Sequence, residues 1–97
     1  MVKILVQWMH SADVICVPEN IAENIFEYQE DFLRYVDGVS YDKKLSGTVF
    51  GIVNFIDYLN QNMLSDSNEK AYIQCEDYTP NSIHQKKEIK RMKKIYF

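Results

Sequence analysis

Most of the residues that carry specialised chemistry are scarce in this chain. Its 97 residues include two cysteines, two histidines, three glycines, two prolines and one tryptophan. Cys16 and Cys75 form no CxxC and join no Cys/His cluster with zinc-ligand spacing, which excludes zinc-ribbon and thioredoxin-like chemistry. Two reduced thiols are expected, and neither a metal nor a cofactor. The glycines build no GxxxxGK[ST] and no GxGxxG, so the phosphate loop and the dinucleotide fingerprint are absent. No apolar run approaches the roughly 18 residues of a membrane helix. The opening stretch MVKILVQWM has one lysine, is interrupted by Gln7, and is followed by no small-residue cleavage site. It reads as a strand, not a signal peptide, and the expected location is cytoplasmic.

What is present suits a packed core. Hydrophobic residues make up 46% and aromatic residues 13%, against 26% charged. That balance is ordinary for a soluble globular chain. A chain of this length reads as one domain, 1–97, burying roughly 65% of its unfolded surface.

Hydrophobic spacing divides the chain into elements. Val2, Ile4, Val6 and Trp8 alternate with Lys3, Leu5, Gln7 and Met9, the period of a strand. After the polar HSAD, the β-branched VICV (14–17) reads as the second strand of a hairpin. Pro18 stops the sheet and opens a helix, with Glu19 suited to its positive end. Ile21, Ala22, Ile25, Phe26, Tyr28, Phe32, Leu33, Tyr35 and Val36 form the apolar face, and Glu19, Glu23, Glu27, Glu30 and Asp31 lie opposite. Gly38 is the expected stop, and 39–48 the expected loop. Thr48 is a plausible cap for a more deeply buried second helix over 49–64. Gly51 within that helix suggests a close neighbour. KAYIQCE (70–76) reads as a third strand. Ser82 and Gln85 have capping-box spacing, which predicts a helix over 82–94, with a short strand KIYF as the competing reading. The order predicts an α+β fold of two layers: a mostly antiparallel sheet of three or four strands with two helices on one face.

No constellation here names a reaction. His10, Ser11 and Asp13 crowd one hairpin loop, whereas a triad is assembled around an oxyanion hole from separate elements. Glu27, Glu30 and Asp31 lie on a solvated helix face, where no pocket is implied for acid–base work. Cys75 has no neighbouring cation to lower its pKa, which favours an inert thiol. A non-enzymatic protein that docks on a macromolecule is the expectation. Its size, its acidity and its wealth of Ile, Asn, Lys and Tyr, residues with AT-rich codons, place it by analogy among small bacterial or phage accessory proteins, inhibitors included.

Charge is the informative feature. Six Lys/Arg against one Glu give residues 84–97 a charge of +5, five against thirteen give residues 1–83 a charge of −8, and the whole chain is −3. The basic segment 82–97, with Lys86, Lys87, Lys90, Arg91, Lys93 and Lys94, has three readings. It is a nucleic-acid hook, a membrane-surface helix, or a strap that packs apolar residues on the body and sets its lysines near the acidic helix. The strap is favoured, with Met92 and Tyr96 as its anchors. A protein partner is then expected at the acidic face of Glu19, Glu23, Glu27 and Glu30, or at the back of the sheet. There Lys3, Leu5, Gln7 and Met9, joined by Ile15, Val17, Tyr72 and Tyr78, form a half-apolar surface suited also to a homodimer. Nucleic acid is the alternative partner; a membrane is not expected.

Overall fold

The computed structural model describes residues 1–41, 50–80 and 82–97, apart from the side chains of 37–41. Strands β1 (Val2–Gln7) and β2 (Ala12–Val17) form the expected hairpin, with Val2 opposite Val17, Ile4 opposite Ile15 and Val6 opposite Asp13. Strand β3 (Tyr72–Cys75) adds antiparallel to β2, and β4 (Lys93–Tyr96) adds parallel to β1, giving the order β3-β2-β1-β4. The chain is thus a small α+β fold on a mixed four-stranded sheet.

The front of the sheet faces the core. Ile4, Val6, Ile15, Val17 and Ile95 are fully buried there against Ile21, Ile25, Phe32, Phe55 and Leu59 of the helices. Burial of each such side chain contributes about 1.5–3 kcal/mol. Ile15 and Val17 were expected on the back. Their pairing with Ile4 and Val2 turns them to the front, because directly opposed residues share a face.

The first expected helix is two. Helix α1 (Glu19–Glu23) starts from Pro18, whose carbonyl accepts the N–H groups of Ile21 and Ala22, so Pro18 is the cap rather than the first helical residue. The chain breaks at Asn24, where the side-chain amide donates to the Asn20 carbonyl at 3.3 Å. Asparagine competes with helical hydrogen bonding in this way. Helix α2 (Ile25–Tyr41) follows and continues through Gly38, which is not its stop. Ile25, Phe32 and Val36 face inward, whereas Phe26, Leu33 and Tyr35, expected in the core, are 52%, 36% and 50% exposed. Of the expected loop, 39–41 are helical and 42–49, with the Thr48 cap, lie outside the described residues.

Helix α3 (Ile52–Tyr58) begins after Gly51, not at Val49. Gly51 is its N-cap: its carbonyl accepts the Asn54 and Phe55 N–H groups, and its N–H donates to Asn54 Oδ1 at 2.8 Å. A Cβ there would meet nothing within 4 Å, so no close neighbour explains the glycine. The backbone is extended at φ −132°. Gly51→Ser should therefore gain a hydroxyl acceptor for the Asn54 N–H and stabilise by a few tenths to about 1 kcal/mol. A calorimetric Tm unchanged or lowered would contradict this.

A π-helical turn (Leu59–Met63) comes next, closed by the Leu64 N–H on the Leu59 carbonyl at 2.9 Å. The wider turn advances the phase and brings Leu64 into the core at 2% exposure. The Asn60 amide then bonds both backbone groups of Ala71, donating to its carbonyl and accepting from its N–H, which ties the helix end to the start of β3.

The competing readings of the C-terminal segment are both realised, in series. Ser82 Oγ accepts the Gln85 N–H at the start of helix α4 (Ile83–Arg91), which leads directly into β4. Since β3 and β4 run in the same direction at opposite edges, α4 crosses the back of the sheet. Leu5, Val14 and Cys16 are 4%, 3% and 4% exposed on that face, so it is not the open surface expected. Ile95 and Phe97 hold the segment to the core. Tyr96 is 65% exposed and Met92 only half-buried, so neither is the principal anchor.

Candidate binding surfaces

The sheet separates two surfaces of opposite charge. On the front, Glu19, Glu23, Glu27 and Glu30 are all exposed. They do not form one stripe, because the break at Asn24 puts the first pair on α1 and the second on α2. Glu30 and Asp31 are partly neutralised by Arg34, at 3.5 and 3.2 Å. Phe26 and Leu33 stand exposed together on the flank of α2 beside Glu30, and Tyr35 stands exposed on the opposite flank beside Asp31. Tyr35 lies 5.2 Å from the Tyr58 ring, and burial raises the Tyr58 phenol above its ordinary pKa. Lys93 comes round from β4 to this side. Its Nζ donates to the Ala22 carbonyl at 2.8 Å and sits 5.3 Å from the centre of the Phe26 ring. Among the described residues, only this lysine of the basic segment meets the acidic helices, as the strap reading expected of the whole set.

On the back, the remaining cations divide. Lys94 Nζ donates to the Met92 carbonyl. Lys86, Lys87, Lys90 and Arg91 project from α4 into solvent, with no side-chain hydrogen bond or ion pair to any described residue. Glu88, the one acid of α4, is turned toward the sheet and accepts from Lys3 Nζ at 2.8 Å. That bond raises the Lys3 pKa above 10.5. Lys3 is therefore fully charged for this pair below pH 10.5, and its contribution is lost as pH rises through the raised value. Beneath it, Lys3, Val14, Cys75, Gln85 and Glu88 line a cleft of about 160 Å³. Cys75 reaches this face because β3 bulges: two residues, Gln74 and Cys75, are set against the single step from Ile15 to Val14.

The loop His10–Asp13 is structural. Asp13 is 6% exposed; one carboxylate oxygen accepts the Trp8 indole N–H at 2.6 Å and the other the Asp77 backbone N–H at 3.0 Å. Asp77 has a positive φ of 51°, and this bond supports the turn that leaves β3. With both oxygens engaged, Asp13 does not orient His10 or Ser11. An aspartate opposite Val6 in a strand facing the core was the available signal for this bridge, and the nearby indole its donor. Cys16 and Cys75 are both free thiols. Among the described residues, no group of three or more His, Cys, Asp or Glu is placed to hold a metal ion, and no described helix is long and apolar enough to cross a membrane.

Compared with protein-family models, curated proteins and solved structures, the chain has no significant match.

Proposed function

We infer that this is a non-enzymatic docking protein of the cytoplasm, which seats the α1–α2 surface on a protein partner with a basic face. The observation that carries this reading is Phe26 and Leu33 standing out together from one flank of α2, on a surface that also carries the exposed Glu19, Glu23, Glu27 and Glu30. Protein interfaces draw their affinity from a few large side chains, aromatic ones foremost, that become desolvated at the centre of the contact. Surrounding carboxylates raise the rate of encounter with a cationic partner and reject anionic ones. A basic protein surface that ordinarily holds nucleic acid has the complementary charge, and covering it is how a small inhibitor would act. A homodimer through the back of the sheet has less support, since α4 fills the apolar part of that face.

The test compares proteins captured from lysate by the wild type with those captured by Phe26→Asp and by Glu23→Lys/Glu27→Lys. A basic protein retained by the wild type and lost by both variants is expected. Its purified form should bind Phe26→Asp at least about tenfold more weakly, the scale of an interfacial hot spot. Both variants change exposed side chains and should keep the wild-type circular dichroism. Identical captures by the wild type and both variants would sink the reading.

A further inference from the structure

We propose that the outer face of α4 is a second, separate surface that contacts the phosphate backbone of a nucleic acid duplex. The surface is Lys86, Lys87, Lys90 and Arg91. At 100° per residue these four fall within roughly 140° of arc, while Gln85, Glu88, Ile89 and Met92 occupy the side toward the sheet. All four are exposed, and none has a side-chain partner among the described residues. No acid shares their face, because Glu88 is turned inward onto Lys3.

The sequence raises one strong objection: a remainder carrying −8 should repel phosphates. The fold answers it. The acids of α1 and α2 lie in front of the sheet and α4 behind it. Two packed layers set those helices roughly 20 Å apart, more than twice the Debye length of about 8 Å at physiological salt. The acidic helices are therefore largely screened from anything bound at α4. Glu76 and Asp77, in the turn before α4, line a different groove with Trp8 and Phe50.

Shape and composition choose among anions. A helix lying in a bilayer interface needs a free apolar face. In α4 that face is Ile89 and Met92, and it is turned to the sheet; Ile83 is the only apolar residue pointing outward. A nucleic acid backbone needs only positioned cations. Lys86 with Lys90, and Lys87 with Arg91, each step about 6 Å along the helix. That is close to the axial rise of two phosphates on one strand, about 7 Å. The face carries no amide side chain and one guanidinium, so it can hold the backbone without reading bases, and the affinity should not depend on sequence.

The proposal does not rest on the protein-docking reading, because it concerns the other side of the sheet. Its test is fluorescence anisotropy with a fluorescein-labelled duplex of mixed sequence. With two to four phosphates neutralised at about 0.9 each, binding should weaken between about 10- and 150-fold from 50 to 200 mM KCl. The variant Lys86→Gln/Lys87→Gln/Lys90→Gln/Arg91→Gln should bind at least about tenfold more weakly and lose most of the salt slope, with circular dichroism and Tm unchanged. Glu23→Lys/Glu27→Lys, which disables the front, should keep duplex binding within about twofold, given the screening between the layers. The proposal is overturned by any of three results: no saturable signal at low salt, unaltered binding by the quadruple variant, or tighter binding to phosphatidylserine vesicles than to the duplex.

Discussion

Ile95→Asp should leave the chain unfolded at room temperature. Ile95 is completely buried although β4 is an edge strand, and it lies opposite Val6 of the inner strand β1. The substitution removes about 2–3 kcal/mol of apolar burial and puts a carboxylate where no partner exists, at a further cost of several kcal/mol. The sum rivals the 5–15 kcal/mol that holds a typical domain together. By contrast, Tyr96→Asp, one residue on and mostly exposed, should shift stability by no more than about 1 kcal/mol, the scale of surface substitutions. Far-ultraviolet circular dichroism and a urea titration of the two variants check both statements. A folded Ile95→Asp protein, or equal damage from the two, would show that β4 is not part of the core. Ile95→Ala, which opens a cavity without burying charge, should cost about 2–5 kcal/mol and keeps the comparison measurable where the aspartate variant cannot be purified.

Asp13→Ala should be the next most damaging change, at about 3–5 kcal/mol. It leaves the Trp8 indole N–H and the Asp77 N–H without an acceptor in a nearly buried site, and hydrogen bonds to a charged group contribute about 1.5–3 kcal/mol each. It also withdraws support from the positive φ at Asp77. Asp13→Asn retains one acceptor oxygen, cannot satisfy both donors, and should fall about midway. Urea midpoints for the wild type, Asp13→Asn and Asp13→Ala in that descending order are expected. An Asp13→Ala protein as stable as the wild type would remove the bridge from the account of this fold.

Local rules made much of the architecture legible. The period-two run of β1, the β-branched run of β2, Pro18 before a helix and Ser82 three residues ahead of Gln85 each describe a local preference, and each element formed where its signal stood. What escaped were departures from ideal period. The π turn at Leu59 and the bulge at Gln74 each shift the phase of the residues after them, and the Asn24 break divides a helix that reads as one. An apolar arc taken half a turn wide took in Phe26, Leu33 and Tyr35 at its rims, where they lie in the open, and uninterrupted alternation would set Cys75 beside Ile73 rather than on the back. The course of α4 could not be read at all. Its two residues of modest apolarity, Ile89 and Met92, fit any shallow surface, and only the parallel pairing of β4 with β1 carries the helix across the back. Both candidate surfaces depended on these missed features. The exposed large side chains of the front appear only once the true width of the buried arc is seen, and the isolation of the α4 cations only once the sheet lies between them and the glutamates.

The pairing of β4 with β1 also sets the order of events in folding. The hairpin joins residues as close as Gln7 and Ala12, whereas β4 joins Lys93 to Ile4. Closing the longer loop costs about 2.5 kcal/mol more chain entropy at equal stiffness. Contacts of such sequence separation form late and slow the overall rate. The chain carries its own reporter of that step. Trp8, its single tryptophan, lies stacked on Phe97 just beyond β4, with ring centres 4.8 Å apart and planes 13° from parallel. In a stopped-flow refolding experiment, circular dichroism tracks the helices, whereas the part of the indole emission change that Phe97→Leu removes tracks the arrival of Phe97, Trp8 also touching Phe50 and Asp13. A fluorescence phase lagging the dichroism would time the docking of the fourth strand without any introduced label.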